Sequence, residues 1–267
     1  MNKLNLLKYD ILKDVKHCFT TRTGGVSKGA QHSLNLSFSR ESSRVNVCKN
    51  YQICADRLCV DFNKMIGVPQ KHTSNVLVVD NENCESTISG VISEKFNKGY
   101  DALITNIPGM TLCTIHADCV PVLIYDPVNK AVAAIHSGWR GTAKKISLNT
   151  VQKMIDCFKS NPADLKVVIG PSISIDNFET DIDVIDAFSD SFNMSFSDMC
   201  EKGLAYSKGN KYHVSVSGFV YYTLLICGVD ENNIFCDSRC TYKNEELFFS
   251  HRRDKGNTGA MSAMICL

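Results

Sequence analysis

Two short apolar runs separated by a turn constrain the fold more than any other feature of the sequence. The runs VPVLIY (120–125) and AVAAI (131–135) flank the segment DPVN. Short runs rich in Val, Ile and Ala suit strands buried on both faces, and an Asp-Pro start with a later Asn is typical of a turn. The pattern therefore predicts an antiparallel hairpin at the centre of a covered sheet.

The predicted hairpin has Cys119 and His136 at its open end. If residues 126–129 form the turn, Tyr125 pairs with Lys130, and a regular ladder then places Cys119 directly opposite His136. The Cβ atoms of such a pair lie about 4.5–5.5 Å apart on one face. This separation suits two ligands of one metal ion, with bonds of about 2.3 Å to sulfur and about 2.0 Å to nitrogen. The spacing is equally compatible with two ordinary core residues.

A third metal ligand does not follow from spacing. His116 lies three residues before Cys119, so in a regular strand the two side chains would point to opposite faces. His72 lies in PQKHTSNV, a polar break between two extended segments, which makes it chemically suitable. The pattern does not select His72 over the other histidines.

The segment SGWRGT follows the hairpin and precedes a predicted helix over Ala143–Ser160. A strand, a Gly-rich turn and a helix N-terminus can bind an anion through free backbone N–H groups. Arg140 adds a planar cation suited to phosphate, and Thr142 is a suitable N-cap residue. The alternative is that Gly138 and Gly141 only shape a tight turn.

Composition limits the class of protein. The 267 residues include 29 basic and 28 acidic side chains, without the basic excess that nucleic-acid surfaces usually carry. The first residues lack the apolar core of a signal peptide, and no apolar run approaches the roughly 20 residues of a membrane helix. We therefore expect a soluble, cytoplasmic protein without nucleic-acid or membrane partners. The 13 scattered cysteines do not resemble a disulfide framework.

The order of predicted elements indicates the fold class. Strand-like and helical segments are mixed without strict βαβ alternation, and no repeat or flexible linker divides the chain. The sequence predicts an α+β fold with mixed sheets and one domain spanning residues 1–267.

A series of motifs then identifies a family. From about Thr20 to the C-terminus the sequence resembles the laccase-domain purine nucleoside phosphorylase family, also called YfiH-like and formerly described as multicopper polyphenol oxidases. The motifs that carry the resemblance, in order, are TRTGGVS, SLNLS, QKH, ALITNIPGM, HADCVPVLIYDP, HSGWRGT, IGPSIS and CTYKNEELFFSHRRD followed by GAM.

The resemblance implies a layered α/β/β/α-type fold and one catalytic zinc ion held by His72, Cys119 and His136. Three protein ligands with an open fourth position are typical of catalytic rather than structural zinc. The implied activity is phosphorolysis of purine nucleosides (adenosine, inosine, guanosine and 5′-methylthioadenosine), together with deamination of adenosine. Arg22, in TRTGG, and Arg140 are the predicted contacts to phosphate or ribose, although either could be a surface arginine.

The sequence also departs from the family pattern. His116 stands where Thr or Tyr is common, His251 replaces a usual Tyr, and Ala260 occupies a position where the family often has Arg. We expect these departures to affect substrate preference. Strand alternation predicts that Asp118 points away from the site, and Arg252-Arg253 is interpreted as part of a structural ion pair.

Three other functions suit the same residues. Two histidines and a cysteine can bind copper in a phenol oxidase of the blue-copper type, if a methionine lies nearby. However, the seven histidines form no His-x-His pair, which a multicopper centre would need. Cys119 and His136 could instead be the nucleophile and base of a metal-free hydrolase or amidase acting on cell-wall precursors. The last alternative is a nucleoside-binding scaffold with a structural metal.

Overall fold

Two mixed sheets stacked face to face form the centre of the chain in a computed structural model, which describes residues 4–41, 43–80, 88 and 98–267. Sheet A contains, in spatial order, β1 (Leu6–Leu7), β2 (Lys16–Thr20), β14 (Met261–Cys266), β6 (Thr111–His116) and β3 (Met65–Ile66). Sheet B contains β13 (Ile234–Cys236), β9 (Lys166–Ile169), β7 (Val120–Asp126), β8 (Ala131–Ser137), β5 (Ala102–Thr105) and β4 (Val76–Val78). The edge strands β3, β4 and β13 pair in parallel, whereas the other pairings within the two sheets are antiparallel.

Helices cover the outer face of each sheet. α1 (Arg44–Leu58) packs on sheet A, while α3 (Ile146–Phe158) and α6 (Val216–Ile226) pack on sheet B. In β7, Val122 and Ile124 face the helices, and Leu123 and Tyr125 face sheet A. Apolar layers therefore lie on both sides of this strand, which explains why nearly every one of its residues is apolar. This α/β/β/α arrangement confirms the predicted α+β class.

A small third sheet lies beside the sandwich. It contains, in order, β10 (Glu179–Thr180), β12 (Lys211–Val214) and β11 (Ala205–Lys208), and it packs with α4 (Ile182–Phe192) and α5 (Phe196–Glu201). Within the described residues, no helix combines the length and the apolar character that crossing a membrane would require. The twelve cysteines in this part of the chain are all free thiols.

The predicted hairpin forms, but its register is shifted by two residues, because Tyr125 pairs with Val132 rather than with Lys130. Asp126 pairs with Ala131, so the turn is 127–130, and His136 pairs with Pro121 rather than with Cys119. The cause is Asp126, whose Oδ1 accepts the N–H groups of Val128 and Asn129, both at 2.9 Å. Pro121 is two residues from Cys119. Because side chains alternate along a strand, this shift keeps Cys119 on the side of His136.

The helix predicted over Ala143–Ser160 is interrupted near its start. α2 (Trp139–Ala143) ends before Lys145, whose φ of 59° is left-handed, and α3 begins at Ile146. Thr142 is therefore not an N-cap, and its hydroxyl instead bonds to the Ser137 hydroxyl and the Gly138 carbonyl. The break was not predicted, because Ala143, Lys144 and Lys145 are all residue types that favour helices.

Gly170 allows the two sheets to approach each other closely. It directly follows β9, and its N–H donates to the Pro121 carbonyl at 2.8 Å. A Cβ atom at this position would lie 2.2 Å from Cε1 of the fully buried Phe19 in β2. Since closely packed interiors resist added volume, this contact requires glycine.

We expect Gly170→Ala to lower the free energy of unfolding by about 1–3 kcal/mol, because the added methyl group overpacks the inter-sheet core. Phe19→Leu is also destabilising, but it makes room for the methyl group. Urea unfolding of the double variant should therefore give a loss smaller than the sum of the single losses. Additive losses would show that the added methyl group does not clash with the ring of Phe19.

Candidate metal centre

Three connections between sheet A and sheet B meet at one end of the sandwich. The β3–β4 connection carries His72, the β6–β7 connection carries Cys119, and the β13–β14 connection carries Arg252. His136 lies near the end of β8, beside these connections. Polar side chains gather here because the backbone leaves the ladders at the point where both sheets end.

His72, Cys119 and His136 converge on one point, where they could hold a metal ion. One ligand atom from each lies within 4.8 Å of the other two, and the His72 Nε2 to Cys119 Sγ distance is 3.8 Å. Two ligand atoms of one tetrahedral zinc ion lie about 3.3–3.8 Å apart, so small side-chain adjustments would complete the geometry. His136 is buried, Cys119 is half-buried and His72 is exposed, so the triad opens toward solvent.

Asp101 organises this triad, and nothing in its sequence context signals the role. Its Oδ1 accepts a hydrogen bond from Nδ1 of His136 at 2.8 Å and from the backbone N–H of His72 at 3.1 Å. Its Oδ2 accepts from the backbone N–H groups of Lys71 and Thr73 and from the Thr73 hydroxyl. These contacts hold His72 at a left-handed φ of 55°. They also leave Nε2 of His136 as its free ligand atom.

The charges of the site reinforce one another. Burial alone would raise the pKa of Asp101, but hydrogen bonds from His136 and Thr73 lower that pKa to about 2. Burial would likewise raise the pKa of Cys119, yet His136 and His72 lower it to about 6. For His136, burial lowers the pKa, but Cys119 and Asp101 raise it to about 9. The site therefore favours a thiolate, which is the form of cysteine that binds metals.

Gly138 makes room for the triad. A Cβ atom there would lie 2.5 Å from Cδ2 of His72 and 3.1 Å from Sγ of Cys119. At Gly141, a Cβ atom would lie 3.0 Å from the Thr73 carbonyl oxygen. Both glycines of SGWRGT thus have packing roles beside the segment that carries His72. The five-residue α2 that follows offers little of the helix dipole on which the predicted anion site depends.

A cavity of about 400 Å³ adjoins the triad. This volume is within the range of about 300–1,000 Å³ that is typical of small-molecule sites. Its walls combine apolar and aromatic side chains with polar groups. The apolar members are Ile115, Ala117, Trp139, Ile173, Phe178 and Ala260.

The two arginines predicted from the sequence do not line this cavity. Arg22 lies in a separate pocket, donates to the carbonyls of His32 and Glu245, and has its guanidinium 4.7 Å from the ring of Phe249. Arg140 is exposed, with its guanidinium 4.1 Å from the ring of Trp139. Their contact with phosphate or ribose stays a prediction.

Two other arginines, Arg40 and Arg252, do line the cavity. Arg40 donates to the Gly259 carbonyl at 3.3 Å and lies 3.4 Å from Nδ1 of His251. No spacing signal marks Arg40, because it enters the site from a short helical turn, Phe38–Arg40, far from the triad in sequence. Arg252 was interpreted as part of a structural ion pair, but that pairing belongs to Arg253, which binds Asp254.

Asp118 also lines the cavity, so the prediction that it points away is wrong. Strand alternation does not apply to it, because it precedes β7 and has a φ of 90°. Its carboxylate accepts hydrogen bonds from the hydroxyls of Thr241 and Ser250 and from the N–H of Arg252. These hydrogen bonds hold the β13–β14 connection against Asp118, which directly precedes Cys119 in the chain.

His116 and His251, two of the departures from the family pattern, are also cavity residues. His116 is buried, and neither of its ring nitrogens has a hydrogen-bond partner among the described residues. Burial, followed by the charge of His136, lowers the pKa of His116 to about 3, so this imidazole is neutral. His251 is exposed.

We expect Asp101→Asn to weaken metal binding about 10–100-fold, the effect typical of losing the partner of a ligating histidine. Asp126→Asn is the matched control, because Asp126 is equally buried but holds the hairpin turn. It should cost stability and leave metal affinity unchanged. Zinc titration against a chromophoric chelator measures both variants. Equal weakening in the two variants would refute the role of Asp101.

We expect Gly138→Ala to weaken metal binding about 10-fold or more, because the new methyl group displaces His72 from Cys119. The same chelator competition provides the measurement, with thermal unfolding of the metal-free protein recorded in parallel. A variant that binds metal as tightly as the original chain would show that His72 has room to adjust.

Known proteins resemble this chain over nearly its whole length. Residues 16–267 match the family described as multi-copper polyphenol oxidoreductase laccase. The chain is 32% identical over 256 residues to the purine nucleoside phosphorylase YlmD of Bacillus subtilis strain 168, covering 95% of this chain and 88% of the relative. It is also 32% identical over 270 residues to the purine nucleoside phosphorylase YfiH of Escherichia coli K12, with complete coverage of both.

Solved structures agree with these sequence matches. A crystal structure of a hypothetical protein YfiH from Bacillus licheniformis superposes with a TM-score of 0.89 at 32% identity, covering 98% of this chain and 96% of the other. YlmD from Geobacillus stearothermophilus gives a TM-score of 0.86 at 28% identity, covering 97% and 93%. The resemblance read from the sequence motifs is confirmed, and the chain belongs to this laccase-like family of YfiH and YlmD proteins.

Proposed function

We propose that this chain is a zinc-dependent purine nucleoside phosphorylase that also deaminates adenosine. The observation that carries the proposal is the triad of His72, Cys119 and His136, which opens into a cavity of the size that small-molecule ligands need. The relatives named as purine nucleoside phosphorylases support nucleosides and phosphate as substrates. Adenosine, inosine, guanosine and 5′-methylthioadenosine are the candidates.

The donor set supports zinc rather than copper. One thiolate and two imidazoles with an open position are typical of catalytic zinc. A blue-copper centre additionally uses a weak axial ligand, usually methionine, and no methionine is among the described residues that line the cavity. The hydrogen bond from His136 to Asp101 matches the carboxylate–histidine–metal arrangement that orients ligands in many zinc enzymes.

The residues of the cavity suggest how a nucleoside would bind. The aromatic side chains of Trp139 and Phe178 offer flat apolar surfaces for a purine. Asp101 fixes the ring of His136, and Asp118 anchors the segment of Arg252 against the site. A zinc ion bound to the triad would act as a Lewis acid and lower the pKa of a bound water.

Both reactions balance without a redox partner. In phosphorolysis, a phosphate oxygen bonds to C1′ of the ribose while the bond from C1′ to the base breaks. The base leaves with the electron pair and takes up the proton that hydrogen phosphate brought. In deamination, water adds at C6 of adenosine, and ammonia leaves.

Incubation of the metal-loaded protein with adenosine, with and without phosphate, tests the proposal. We expect adenine and ribose 1-phosphate only when phosphate is present, and inosine in either condition, because water is the nucleophile for deamination. Chromatography of the products provides the measurement. A lack of turnover with any of the four nucleosides, despite binding, would favour the nucleoside-binding scaffold.

A metal-free cysteine hydrolase is the second candidate, because the lowered pKa of Cys119, about 6, would also suit a nucleophile beside its base His136. The zinc enzyme should lose at least about 100-fold in activity on chelation and recover with zinc, since the ion supplies the Lewis acid. The hydrolase should survive chelation and be inactivated by alkylation of Cys119 without metal loss.

Copper chemistry has its own diagnostic outcome. Metal analysis after purification should find one zinc per chain. Stoichiometric copper combined with oxygen uptake on phenols, independent of phosphate, would replace the proposal with a phenol oxidase. Loss of the metal from His72→Ala, Cys119→Ala and His136→Ala would confirm which residues bind it in either case.

A further inference from the structure

The cavity beside the triad has an excess of positive charge. Its arginines are Arg40 and Arg252, and its carboxylate is Asp118. That carboxylate is occupied, because it accepts hydrogen bonds from two hydroxyls and from the backbone N–H of Arg252. Within the described part of the chain, neither arginine forms an ion pair, whereas Arg239 and Arg253 do. Two cations thus face the cavity without a carboxylate partner.

Both guanidinium groups are held in place by neutral contacts. Arg40 donates through Nη1 to the Gly259 carbonyl, and its Nη2 lies 3.4 Å from Nδ1 of His251. Arg252 donates through Nη1 to the Glu179 carbonyl at 2.8 Å, and its guanidinium lies 5.2 Å from the ring of Phe178. A guanidinium carries five N–H donors, so most of them lack an acceptor among the described residues. An oriented fork of free donors is the form of arginine that binds phosphate oxygens bidentately.

The two cations are also close to the triad. Arg40 lines the same cavity as Cys119, where burial lowers the pKa of its guanidinium and the negative charges of Cys119 and Asp118 partly offset that lowering. The backbone of Arg252 is bonded to the residue that precedes Cys119. An anion held by both arginines would therefore lie beside the triad and the aromatic walls.

On the basis of the proposed phosphorolysis, we propose that Arg40 and Arg252 form the subsite that holds inorganic phosphate. Two fixed positive charges match the two negative charges of hydrogen phosphate. Their free N–H groups can bind two of its oxygens and leave another free to bond to C1′ of the ribose. The subsite thereby replaces Arg22 and Arg140, which lie outside the cavity.

Phosphate binding without nucleoside provides a test that needs no turnover. Calorimetric titration of the zinc-loaded chain with inorganic phosphate should give binding that weakens at least 10-fold in Arg40→Gln and in Arg252→Gln. Arg40→Lys and Arg252→Lys keep the charge and should lose less. Arg57→Gln removes an exposed charge from α1, remote from the cavity, and should bind phosphate normally. Thermal unfolding and metal content verify that each variant is folded and loaded.

Steady-state kinetics provide the second measurement. The KM for phosphate should rise at least 10-fold in both glutamine variants, a larger change than either variant makes in the KM for adenosine or in deamination without phosphate, whereas Arg57→Gln should leave all three close to their original values. A purely structural role for the arginines would change all of these together. If Arg22→Gln and Arg140→Gln raise the KM for phosphate and the cavity variants do not, the proposal is wrong.

Different results would refute the phosphate subsite and the proposed phosphorolysis. Phosphate-dependent cleavage that persists with an unchanged KM in the cavity variants would refute the subsite and leave the proposed function intact. Phosphate binding that depends on Arg40 and Arg252, without any phosphate-dependent cleavage, would refute phosphorolysis and leave the subsite intact. A chain that neither binds phosphate nor needs it for turnover would refute both.

Discussion

The carboxylate of Asp101 is the interaction on which the geometry of the triad depends. It lies at the start of β5, where it accepts three consecutive backbone N–H groups from the His72 segment and the Nδ1 proton of His136. One buried charge thereby fixes a connection between the sheets and a strand of sheet B in a single arrangement. The cost of burying the carboxylate is offset because its oxygens have hydrogen-bond donors. The thiolate of Cys119 completes a site in which each charge stabilises its neighbour.

The sequence predicted the parts of the site that follow from strand periodicity. The hairpin and the proximity of Cys119 to His136 were recognisable because a register error of two positions preserves the face of a strand. The resemblance supplied His72. Asp101 and Arg40 were not predictable, since their roles depend on contacts between segments that lie about 30 or more residues apart. Asp118 was misassigned because its backbone leaves the strand geometry on which the argument relied.

The distribution of arginines illustrates a general difference between a motif and a site. Arg22 and Arg140 lie in the most recognisable motifs, yet neither lines the cavity: Arg22 contacts carbonyls and the ring of Phe249, and Arg140 lies exposed against the ring of Trp139. Arg40 lies in an inconspicuous turn and reaches the carbonyl of Gly259, next to Ala260. Arg40 therefore brings a positive charge next to Ala260, where the family pattern led us to expect an arginine.

The meeting of three inter-sheet connections at the triad has a consequence for how the protein is made. The three residues that could hold a metal ion come from segments near residues 72, 119 and 136, and His251, Arg252 and Ala260 also line the cavity. Residues that line the cavity span the sequence from Ser37 to Ala260, so both sheets must be paired before the cavity is complete. Contacts so distant in sequence form late, because loop closure precedes any reward from packing. We therefore expect the cavity to form only after β14 has paired with β2 and β6.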